Sequence, residues 1–211
     1  MAYACFISYR RPESDIETKI IAELHAMLRG YLGLLYGPRS VFLDDTRLSG
    51  GDFLEIALAR ALHQSVCMVM VYKAWYFDCA HPYCAREYRA MLELEKQRLA
   101  LLPEAERQHG LIIPIALTCG NTLYIPSEIK QRLFATIDVF GLRNYRLESC
   151  VSSKAAIQKV AQHIIDRCTQ LGNLIPDSLQ DDPTFTLPAE QDLTGWLCEM
   201  AGAGLPLPFR T

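Results

Sequence analysis

Short, continuous apolar runs alternate along the chain with longer stretches in which apolar residues recur every three or four positions. Tyr3 to Tyr9, YACFISY, is nearly unbroken and stops at Arg10-Arg11-Pro12, which predicts a strand buried on both faces. Ser14 followed by Glu17 has the form of a capping box. Ile16, Ile20, Ile21, Leu24, Met27 and Leu28 then keep helical spacing to Gly30, and YLGLLYG extends the helix to the Gly37-Pro38 break. Ser40 to Asp45 predicts a second strand. Asp52 and Glu55 suggest another capping box, opening a helix from Phe53 to about Gln64.

Val66 to Tyr72 and Leu111 to Leu117 are two further apolar runs, separated by a helix from about Ala85 to Leu101 with Tyr88, Met91, Leu92 and Leu99 on one face. Thr136 to Leu142 supplies a fifth strand. Ile157, Val160, Ala161, Ile164, Ile165, Cys168 and Leu171 form an apolar stripe on a last helix. Strands alternating with helices imply a parallel sheet covered on both faces. Five strands in this pattern suggest an α/β, flavodoxin-like three-layer fold of strand order 2-1-3-4-5, with ligands bound beyond the carboxyl ends of strands one and three. Those ends fall at Arg10 to Pro12 and at Lys73 to Glu87.

The character of the chain changes at Gly172. Residues 172 to 211 hold five prolines (176, 183, 188, 206 and 208), six acids and one basic residue, Arg210. Residues 1–171 are therefore read as the main domain and 172–211 as a Pro-rich acidic extension. LTGWLCEM within it predicts a short helix with Trp196 as an anchor, docked on the domain or on a partner.

With 211 residues, half of them hydrophobic, the chain is able to build a sizeable core. A net charge of -3 gives no electrostatic footprint for nucleic acid or an anionic membrane surface. MAYACFISYRR has no basic segment ahead of its apolar run, and no run of about 18 apolar residues occurs, so a cytoplasmic protein is expected. Several of the eight cysteines sit in apolar runs, where a thiol acts as a small hydrophobe and a reduced compartment is the simpler account.

Cys79, His81 and Cys84 carry donor types that suit zinc, but a fourth ligand and any C-x-x-C pair are missing, so loop cysteines beside a surface histidine are favoured and no metal is expected. SGGD before the second helix offers N–H groups to a phosphate, or simply makes a turn. Neither G-x-G-x-x-G nor G-x-x-x-x-G-K-[ST] occurs, and G-x-S-x-G is absent. Cys84 with His81 is a weak nucleophile-and-base pair. Glu87 alone reads as a solvated helix residue, but it stands at the inferred crevice beside Trp75, Tyr76, Phe77 and Tyr83. A carboxylate in such a place suits ribose hydroxyls and an oxocarbenium-like centre.

FISYRR (Phe6 to Arg11), VFLDDTRLSGGDF (Val41 to Phe53) and YCARE (Tyr83 to Glu87), in this order, resemble the first box, the second strand with its BB loop, and the W-C-x-x-E segment of the Toll/interleukin receptor (TIR) domain. The resemblance covers about residues 1 to 170. Tyr83 stands where the family commonly has tryptophan, Ala4 replaces the common acidic residue of the first box, and the serines often flanking the third motif are missing.

The resemblance implies a chemistry. Many bacterial TIR proteins, plant immune TIR domains and an animal axon-degeneration TIR enzyme cleave the nicotinamide–ribose bond of NAD+, which is consumed as substrate with no other cofactor. The family's catalytic glutamate matches Glu87, and its substrate contacts match Tyr9, Arg10, Asp44, Phe53 and Tyr83. By resemblance, the product is ADP-ribose or a cyclic ADP-ribose signal, the setting is prokaryotic antiphage defence with a separate sensor or effector, and self-association runs through the BB loop, Asp45 to Asp52. Met1 lies almost directly on the first strand, which suggests no N-terminal sensor. Other family members are non-catalytic interaction modules, and a mimic of host TIR signalling is the alternative reading.

Overall fold

The structure, a computed structural model, describes residues 2–43, 51–120, 123–172, 174, 175, 182 and 184–202. Five parallel strands form one sheet: β1 (Tyr3–Tyr9), β2 (Val41–Leu43), β3 (Ser65–Tyr72), β4 (Ile112–Thr118) and β5 (Ala135–Asp138), in the order β2-β1-β3-β4-β5. The helices between and after them are α1 (Asp15–Tyr36), α2 (Gly51–His63), α3 (Tyr83–Leu99), α4 (Ser127–Arg132), α5 (Val151–Leu171) and α6 (Glu190–Gly202). This is the flavodoxin-like α/β topology that the alternation predicts. Every residue of β3 and β4 is buried, as central strands covered on both faces require.

Ser14 caps α1 as expected, its hydroxyl accepting from the Glu17 N–H at 3.2 Å. The Glu17 carboxylate reaches the N–H of Glu13 rather than that of Ser14, at 2.8 Å, and also pairs with Lys73 at 2.7 Å. α1 runs past Gly30 to Gly37, whose φ of 84° lies in the left-handed region that glycine adopts freely. α2 runs from Gly51 to His63; the Asp52 half of the second expected capping box lies outside the described side chains, and the Glu55 carboxylate is drawn to the Arg86 guanidinium. β5 is shorter than its apolar run. The Asp138 carboxylate accepts from Phe140 N and Gly120 N, which turns the chain into a 3-10 turn over Val139–Gly141.

Two charged residues of α3, Glu95 and Arg98, are buried. Glu95 accepts from Leu111 N (2.5 Å), Ile112 N (3.1 Å) and Arg132 (2.6 Å), anchoring the amino end of β4. Arg98 donates to the carbonyls of His63 and Ser65, both at 2.6 Å, and closes the α2–β3 junction. Burial pushes its pKa down to about 10. Both anchors lie at the amino ends of the strands, opposite the predicted crevice.

The C-terminal extension docks in cis. Leu187, Leu193, Leu197 and Met200 join the same apolar core as the sheet, and Trp196 packs against Phe77 and Tyr88 with ring centroids 5.3 and 6.0 Å apart. Upstream of α6, Phe185 lies on His63 at 4.6 Å, and the Pro188 carbonyl accepts from Arg86 Nε at 2.6 Å.

Candidate active site

β1 and β3 run side by side, with Ser8 opposite Met70 and Tyr9 opposite Val71, so their carboxyl ends open together. Beyond β3 the chain passes through residues 73–82, where Trp75 takes a φ of 67°, a strained setting for a bulky side chain. Arg10 holds that segment. Its NH1 donates to the Trp75 carbonyl and to Asp78 Oδ2, both at 2.8 Å, while NH2 pairs with Glu13 at 3.2 Å. Asp78 also accepts from Ala80 N at 3.0 Å and meets His81 Nδ1 at 3.0 Å.

Glu87, in the first turns of α3, is only 6% exposed. Ser8 Oγ donates to its carboxylate at 2.5 Å, and the same Oγ lies 2.5 Å from the Tyr76 hydroxyl. A serine hydroxyl has one proton, so with that proton on Glu87 the phenol of Tyr76 is the donor to Ser8. Burial, reinforced by Cys84 and Glu87 nearby, pushes the Tyr76 phenol well up, so it keeps its proton at neutral pH. The result is a buried relay, Tyr76 to Ser8 to Glu87. Sequence reading placed Tyr76 at the crevice only as an aromatic and missed Ser8. The usable signal was Ser8 itself, a small polar residue inside a strand buried on both faces, which needs a partner.

The buried Cys84 thiol feels the charges of Glu87, Arg10 and Lys73. Burial and then Glu87 push this thiol well above its ordinary range, against Arg10 and Lys73. It is therefore protonated at neutral pH and is not an activated nucleophile. His81 turns to Asp78, and Cys79 is exposed while Cys84 is buried, so the three zinc donors of the sequence face different surroundings.

Tyr83 opens α3 half exposed, with the Arg86 guanidinium 5.8 Å from its ring centre. Tyr9 is partly buried at the end of β1. Asp44 lies outside the described residues, as do Asp45 to Gly50 and the side chains of Asp52 and Phe53, so the BB-loop contacts are not part of the described site.

Residues 5–151 match the TIR domain family, and this stretch is more than half of the chain. The chain belongs to the TIR-domain family. No curated protein matches it at a significant level. The TIR match takes in the sheet from Cys5 of β1 through β5 and the whole Arg10, Ser8, Tyr76 and Glu87 constellation, and it ends where α5 begins. The family includes enzymes that cleave NAD+. Among the described residues of this TIR protein, no helix is long and apolar enough to cross a membrane. A carboxylate held by a hydroxyl donor at the switch point of a TIR sheet is able to bind vicinal hydroxyls and to stabilise a developing cation.

Proposed function

We propose that this TIR domain cleaves the bond between nicotinamide and ribose in NAD+, with Glu87 as the catalytic residue. The observation that carries this reading is the setting of Glu87: buried at the carboxyl end of β1, oriented by Ser8 and, through it, Tyr76. Glu87 binds the hydroxyls of the nicotinamide-side ribose and opposes the positive charge that grows on its anomeric carbon. The electrons of the breaking C–N bond pass to nicotinamide, which leaves neutral. Water then adds to the carbon and releases a proton, giving ADP-ribose; attack by the adenine or by a ribose hydroxyl closes a cyclic product instead.

Tyr83 and Phe53 pack on the rings, while Tyr9 and Asp44 complete the pocket. Arg10 contributes in two ways. Its NH1 fixes the 73–82 segment, and its outer arm exchanges Glu13, which is exposed, for a phosphate of the substrate. Self-association through Asp45 to Asp52 raises the activity, in the setting of a cytoplasmic prokaryotic antiphage response with a separate sensor or effector.

The burial of Glu87 also suits a second reading, a non-catalytic interaction module or mimic of host TIR signalling in which the carboxylate only ties α3 to β1. Nicotinamide release and product mass from NAD+, measured for wild type and Glu87→Ala at low and high protein concentration, separate the two. Release that rises with concentration and is lost in the variant supports the enzyme. Equal release from both proteins refutes the role of Glu87, and no release at either concentration favours the interaction module.

A further inference from the structure

The docked extension brings a second thiol to the segment that Arg10 holds. Trp196 of α6 meets Phe77 edge-on and stacks on Tyr88, which seats α6 against residues 73–82. Cys198 follows two residues after Trp196, as Cys79 follows two after Phe77, and the Cys198 thiol lies near enough to Cys79 to raise its pKa. Both cysteines are exposed. Cys5, Cys67 and Cys168 also lie close together, but they are sealed in the core. Cys79 and Cys198 thus combine proximity, through the seating of α6 on residues 73–82, with access from solvent.

We propose that Cys79 and Cys198 form an oxidation site, at which a hydroperoxide converts the two thiols into a disulfide that staples α6 to the segment beside β1. One thiolate attacks a peroxide oxygen and the O–O bond breaks; hydrogen peroxide leaves one oxygen on sulfur as a sulfenic acid and loses the other as water. The second thiolate attacks that sulfur, the S–S bond forms, the S–O bond breaks, and a second water departs. Two thiols and one peroxide give one disulfide and two waters, with two electrons passing from sulfur to oxygen. A small-molecule dithiol reverses the step by exchange.

Burial, with Cys198 beside it, raises the Cys79 pKa, so the reaction quickens as the pH rises above neutral. Asp78, the neighbour of Cys79, accepts from Arg10, so the staple ties the extension directly to the arginine clamp. The disulfide rests on the seating of α6 and does not depend on the proposed NAD+ cleavage.

The test is hydrogen peroxide treatment of the full chain at pH 8, followed by alkylation of the remaining thiols, digestion and mass spectrometry. A peptide joining Cys79 to Cys198 within one chain is expected, lacking two hydrogens and lost on dithiothreitol treatment. The oxidised protein should melt about 5–10 °C higher, because the link closes a long loop. Cys79→Ser and Cys198→Ser, at exposed positions, should each abolish the peptide and the melting shift. Separate alkylation of both cysteines after peroxide, a link between two chains, or an undiminished shift in either serine variant would overturn the proposal.

Discussion

Ser8 on β1 and Glu87 on α3, 79 positions apart in the chain, meet through one 2.5 Å hydrogen bond inside the protein. Ser8→Ala removes the donor to a buried carboxylate, an interaction worth about 1.5–3 kcal/mol. Nicotinamide release is expected to fall by about 10- to 100-fold in kcat with a smaller change in KM. Tyr76→Phe, one step further back, should cost less. Steady-state kinetics on the folded variants checks this order, and a larger loss for Tyr76→Phe would contradict the relay.

Trp196→Ala strips the anchor of α6 from Phe77 and Tyr88. The loss should be about 2–3 kcal/mol, less than for a fully buried tryptophan because Trp196 is only partly covered. Limited proteolysis should then cut within residues 184–202 while residues 2–172 persist. A variant as resistant as wild type would show that Trp196 does not seat the extension.

Gly110→Ala tests the amino end of β4. An added Cβ would stand 2.5 Å from Glu95 Oε1 and 3.3 Å from an Arg132 nitrogen. Glu95 is the end of a flexible side chain, yet three donors hold it in place, so yielding costs about 2 kcal/mol. Denaturant unfolding should show a lower midpoint with little change in slope. An unchanged midpoint would mean that the carboxylate moves freely.

Cys150, at the N-cap of α5, has its pKa lowered to about 7 by hydrogen bonds from the Ser152 and Ser153 hydroxyls. The thiolate is favoured in the folded chain, so iodoacetamide should label this residue half-maximally near pH 7, with the rate falling below that pH. Peptide mass spectrometry across pH 5.5 to 9 measures the midpoint, and Ser152→Ala should move it upward. A midpoint above 8 in the wild type would remove the role of the serine hydroxyls.

The sheet was legible because β1, β3 and β4 are continuous apolar runs, which only strands covered on both faces require. α4 was not, because its six residues are too few to show a period. Glu55 is met by the Arg86 guanidinium from another helix, a long-range contact that local pattern does not carry. The burial of Glu95 and Arg98 was not legible for the same reason: their partners include backbone groups of β3 and β4 and the α2–β3 junction. At the candidate site the motif located Glu87 and Arg10, whereas Ser8 and Tyr76 became visible as its supports only once β1, β3 and α3 were brought together.

Arg86 and Glu87 are consecutive residues of α3 with separate tasks: the first donates to the Pro188 carbonyl ahead of α6, and the second receives the hydroxyl of Ser8 on β1. Anyone transplanting this TIR domain into a chimera would be tempted to cut where family similarity ends, at residue 151. Such a graft would lose α5, leave the Arg86 guanidinium one acceptor short, and bare the faces of Phe77 and Tyr88. The portable unit therefore extends at least to Met200, the last core residue of α6.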